Sequence, residues 1–122
     1  MNRLVPTVID LLLVLVFAAV GRASHSEGVT LLGGLETAWP FLVACGFAWL
    51  ALGLLHDHGR GARAALIVWL VTLVGGMGLR ILAGGGAAGP FVLVAATFLG
   101  VSFGGWRLVW WLMGRRTAQK VS

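Results

Sequence analysis

Charge is what this sequence has least of. Only 11% of its 122 residues are Asp, Glu, Lys or Arg, and only four are acidic. A water-soluble domain carries about 25% charged residues, so a chain this poor in them cannot cover its surface against water. Tyrosine is absent, and Cys45 is the lone cysteine. An internal disulfide is therefore excluded, and the paired-cysteine spacings of metal sites are missing. Cys45 lies inside an apolar run and reads as a small packing residue. The sequence has neither a P-loop pattern nor a nucleophile elbow, and no Cys–His or Ser–His–Asp constellation is visible. No metal, no cofactor and no catalytic residue is assigned.

What is present is apolar. Hydrophobic residues make up 59% of the chain, with 19 glycines and six tryptophans. Glycine is more frequent in membrane helices than in soluble ones, and tryptophan favours the membrane–water interface. Lipid must therefore be the solvent for much of the chain. The net charge of +5 would suggest nucleic acid for a soluble protein. Here the basic residues gather at the ends of apolar stretches, where the positive-inside rule and anionic lipid place them. The lipid bilayer is the expected partner, and nucleic acid is not.

A helix needs about 20 apolar residues to cross the hydrocarbon core. Four segments qualify: residues 4–21, 37–55, 64–82 and 91–113. The expected fold class is all-α, an integral membrane protein of four transmembrane helices in an up-down bundle, with residues 1–122 as one domain. The N-terminus has a signal-like layout in Arg3, the run Leu11–Val20 and Ala23, but Asp10 interrupts it. It is read as a retained first helix. With four spans, Arg3, Arg60, Arg63, Arg115, Arg116 and Lys120 share one side, and only Arg22 and Arg80 lie towards the other. That bias places both termini in the cytoplasm, and the plasma membrane is the expected location. Trp39 and Phe91 begin spans on the outer side, and Trp106, Trp110 and Trp111 end the fourth on the inner side. They are read as an interfacial belt.

Helices in lipid associate where small residues let backbones approach. The fourth span has Ala96, Gly100 and Gly104 in one stripe, the third has Thr72 and Gly76, and the second has Ala44, Ala48 and Ala51. A homodimer through the Gly100–Gly104 face is open, although a contact within the chain would use that face equally well.

Asp10 is the most informative residue. An Asp at the centre of a span costs about 2.5–3.5 kcal/mol on the insertion scale, so it must face the bundle, water or a cation. The first helix runs outwards and the fourth inwards, so Asp10 and Arg107 come to the same depth within a few ångströms, at about 1.5 Å per residue. Arg107 also continues the Gly100–Gly104 stripe. The depths predict an Asp10–Arg107 bridge between the first and fourth helices. As a clamp it fixes helix register; the functional alternative is an unpaired Asp10 that binds a proton or cation.

A second polar group is expected at the outer face. Arg22, His25 and Glu27 follow the first helix, Glu36 precedes the second and Arg80 ends the third. Together they form either a polar pocket or an ordinary solvated loop. Arg80 shares the Thr72–Gly76 stripe and so points into the bundle, towards Glu27 or loop carbonyls. His56-Asp57-His58 reads as a solvated turn rather than a metal site. The loop Ala83–Pro90 reads as a tight turn, with an anion-binding nest of backbone amides as the alternative.

At these residues the chain resembles an uncharacterised prokaryotic family of small membrane proteins known as domain of unknown function 3054. The resemblance is carried by Asp10 with the Leu/Val run after it, by Phe17 to Gly28 (Phe-Ala-Ala-Val-Gly-Arg-Ala-Ser-His-Ser-Glu-Gly), and by Ala38 to Phe41, Gly76 to Arg80, Pro90 to Val94 and Gly105 to Arg107. These stretches cover nearly the whole chain, and the one ending Ser-His-Ser-Glu-Gly is the most specific. The resemblance implies the membrane class and no activity.

Three function classes stay open. One is a small transporter or channel with Asp10 as its ion-linked group. Another is an accessory subunit or assembly factor of a larger membrane complex. The third, an enzyme with His25 and Glu27 as acid and base, has the least to stand on.

Overall fold

The structure is a computed structural model. It describes residues 3–24, 31–85 and 89–121, with side chains at 3–21, 35–85 and 89–115. Among the described residues four helices make up the fold: α1 (Leu4–Ser24), α2 (Leu31–Leu54), α3 (Ala62–Leu82) and α4 (Gly89–Val121). Each contains a stretch long and apolar enough to cross a membrane. No strand occurs among the described residues.

The helices outrun the segments read from hydropathy. α2 begins at Leu31 rather than Thr37, and α4 continues to Val121 rather than Met113. Hydropathy marks the lipid-crossing portion of a helix, not the end of its hydrogen-bond ladder. The tail after Met113 holds Arg, Gln, Ala and Lys, all good helix formers. Pro6 and Pro90 lie in first turns, where a missing N–H removes no helical bond. Pro40 lies inside α2 and removes the amide that would bond the Glu36 carbonyl.

Each helix packs on its two neighbours in a ring, α1 on α2, α2 on α3, α3 on α4 and α4 on α1, with the α2–α3 seam the most extensive. Across the diagonals no backbones come close among the described residues, although the Phe41 ring of α2 meets the Phe91 ring of α4. Cross-helix partners run in opposite sequence order: Phe17 meets Phe41 and Asp10 meets Trp49. Neighbours are thus antiparallel.

The α2–α3 seam closes on glycine. A Cβ at Gly76 would come within 2.2 Å of the Phe41 ring, and one at Gly75 within 3.1 Å of Ala44. The α3–α4 seam closes on Trp69, whose indole donates to the Ala96 carbonyl at 2.9 Å and lies 3.1 Å from where a Gly100 Cβ would stand. Gly104, the third member of that stripe, has nothing within 4 Å of such an atom among the described residues. The buried interior is layered. Phe17, Phe41, Phe91 and Phe98 meet at centroid distances of 5.2–6.3 Å towards one end. Val14, Cys45, Val68, Thr72 and Leu99 fill the middle. Asp10, Trp49, Phe103 and Arg107 form the layer nearest the α2–α3 turn.

Candidate functional site

Asp10 stands two turns into α1, and its side chain is fully buried. A carboxylate offers about four lone-pair positions, and here four N–H donors meet them. Oδ1 accepts from Trp106 Nε1 at 2.8 Å and from Arg107 Nη1 at 3.1 Å. Oδ2 accepts from Trp49 Nε1 at 2.9 Å and from Arg107 Nη2 at 2.7 Å. The arginine and the carboxylate meet as a two-pronged pair, the geometry for which a guanidinium is preorganised.

Arg107 is nearly as well satisfied. Nε donates to the Gly59 carbonyl at 2.9 Å, and Nη1 also donates to the Phe103 carbonyl, one turn back on α4, at 3.1 Å. Its guanidinium carbon lies 4.5 Å from the Trp106 ring centroid, so that indole both bonds the anion and faces the cation. Three helices and the α2–α3 turn therefore share one polar knot. Taking two charges out of water costs several kcal/mol per ion, a cost offset only when geometry is good and the remaining polar atoms are bonded. Both conditions hold here.

The turn is shaped to reach the knot. Gly59 has φ +84°, a conformation that favours glycine, and a Cβ there would stand 2.1 Å from the Trp49 ring. The same glycine thus offers its carbonyl to Arg107 and a bare face to Trp49. Its N–H donates to Asp57 Oδ1 at 2.8 Å, and Asp57 Oδ2 pairs with Arg63 Nε at 3.2 Å. Arg3 ties the turn to the start of α1 through the Asp57 carbonyl at 3.1 Å.

Two members of the knot escape sequence reasoning. Trp106 reads as a belt residue, yet its indole N–H turns inwards to Asp10. Trp49 is singled out neither by charge nor by a small-residue stripe. A signal existed for it all the same: it lies inside an apolar span, and a buried indole N–H needs an acceptor.

At the other end of the bundle, Glu36 and Arg80 line one pocket of about 490 Å³, together with Thr37, Pro40 and the turn Ala83–Gly85. Arg80 lies over the Phe91 ring at 4.4 Å. Of the remaining expected outer residues, His25 and Glu27 lie outside the described residues, as does the side chain of Arg22. The amides of Ala83, Gly84 and Gly85 bond the carbonyls of Leu79, Ile81 and Arg80. They finish α3, with Gly84 at φ +89°, so these three amides are used within the turn, and residues 86–88 of the expected nest lie outside the described residues. His56 and His58 are exposed, and no cluster of metal-binding side chains occurs among the described residues.

The family described as "Protein of unknown function (DUF3054)" matches residues 7–110, which run from the first turn of α1 to just past Arg107. The chain belongs to this family. For this DUF3054 member no curated protein and no solved structure gives a match. Family membership carries no activity with it, and the four apolar helices mark a small multi-pass membrane protein.

Proposed function

We propose that this DUF3054 protein is an accessory subunit or assembly factor of a prokaryotic plasma-membrane complex, a rigid helical block that acts through its lipid-facing surfaces. Both termini face the cytoplasm in this reading. The carrying observation is the saturation of Asp10. An ion-coupled transporter needs its intramembrane carboxylate to exchange a proton or cation with a water-filled path. Here both carboxylate oxygens hold two N–H donors each, and the side chain has no exposure. Such a group holds helices in register and leaves no lone pair for cargo. Support for the orientation comes from Arg3, Arg60, Arg63 and Arg115, which cluster at the end carrying the α2–α3 turn.

Reconstituted liposomes with an internal pH dye test this reading. The wild-type chain is expected to relax an imposed proton gradient no faster than empty vesicles. A flux that Asp10→Asn abolishes overturns the proposal and restores Asp10 as an ion site. Gentle extraction of native membranes is expected to yield the chain in a species larger than its own oligomers. A C-terminal reporter that matures only in the cytoplasm is expected to be active.

A further inference from the structure

The α2–α3 turn and α4 flank a second, open pocket of about 500 Å³, on the end of the bundle away from Glu36 and Arg80. Its polar side is basic. Arg60 and Arg63 line it, with His56 and His58 beside them. Asp57, its one acidic residue, is already paired with Arg63 Nε and bonded by the Gly59 amide. The Arg63 side chain is 60% exposed. The other side is apolar and aromatic: Leu55, Trp110 and Trp111, each about half exposed. Arg60 lies over the Trp110 ring at 5.7 Å, and Arg115 over Trp111 at 5.0 Å.

Charge and shape together select an occupant. Guanidinium groups match the oxygens of a phosphate, and arginine is the residue of choice for that anion. α3 starts at the rim, and Gly61 gives its first turn no side-chain cap, so the positive end of that helix adds to the field. The apolar wall continues onto Leu108, exposed on α4 one turn before Trp111. A soluble phosphate has no use for such a wall; an acyl chain does. The pocket is also preformed, because Arg107 and Arg3 hold the turn through the Gly59 and Asp57 carbonyls.

We propose that this pocket binds the phosphate of an anionic phospholipid between Arg60 and Arg63, with the acyl chains lying along Trp110 and the exposed flank of α4. The proposal rests on membrane insertion, but not on the subunit role. Native mass spectrometry of the full chain in detergent micelles provides the test, with phosphatidylglycerol, phosphatidylethanolamine and phosphatidylcholine of identical acyl chains. Phosphatidylglycerol is expected to be retained roughly thirtyfold better than phosphatidylcholine, in line with two arginines at a membrane surface. Arg60→Gln with Arg63→Gln should erase that preference, whereas Arg80→Gln at the far end should leave it. An equal response to the three headgroups overturns the proposal on the unaltered protein, whatever the variants do. Displacement of the lipid by millimolar inorganic phosphate would make the ligand a soluble phosphate and also overturn it. A flat headgroup series leaves the liposome flux result untouched, so the two readings fail separately.

Discussion

Each of the four N–H donors around Asp10 meets a carboxylate that water does not reach, so the loss of any one is felt at a buried charge. Trp49→Phe retains the ring but leaves Asp10 Oδ2 with one donor fewer. The change is expected to lower unfolding stability in detergent by about 1–3 kcal/mol, the penalty for a bond lost at such a group. Stability equal to the wild type would mean that this bond contributes little. The charge pair itself is legible in the sequence. One acid and one base at matching depths in apolar helices have few alternatives to each other, and their side chains meet at 2.7 Å. Depth alone is silent on the indoles, because tryptophan has an equally good reason to lie at the interface. Only the packing of α1 against α2 and α4 aims Trp49 and Trp106 at the carboxylate. The polar group expected at the opposite end is less legible. Glu36 and Arg80 do share a pocket, but the pattern around His25 and Glu27 reads first as an ordinary solvated loop, and those residues lie outside the described ones.

The four helices themselves are plain in the hydropathy, whereas the features that join them are not. Small-residue stripes mark where backbones are able to approach, without saying which helix will. Gly76 receives Phe41 and Gly100 receives Trp69, while Gly104 receives no close neighbour among the described residues. The decisive glycine is Gly59, which sits in a turn with no periodicity to reveal it. Its positive φ and its contact with Trp49 both forbid a side chain. Gly59→Ala is therefore expected to destabilise the bundle by at least about 1 kcal/mol through strain alone, and to shift Trp49. Gly78→Ala on α3, where an added Cβ meets nothing within 4 Å, serves as the control and should be neutral to slightly stabilising, because alanine is the better helix former. Thermal unfolding followed by tryptophan emission reads both; equal midpoints for the two variants would contradict the role given to the turn.

For the whole molecule, one buried pair ties the first helix to the last and holds the turn between the middle two. This is the reason a bundle whose α1–α4 seam is its least extensive contact keeps a closed ring. The layering follows the same logic, with aromatic packing towards one end and charge pairing towards the other. A double-mutant cycle on Asp10→Asn and Arg107→Gln, read as unfolding free energy in detergent or bicelles, tests the pairing most directly. Each single change strands a buried partner and is expected to cost about 3–5 kcal/mol. The double variant should cost clearly less than the sum, because neither charge is left behind. Strictly additive losses, or singles that unfold like the wild type, would contradict the claim that the two charges hold the bundle together.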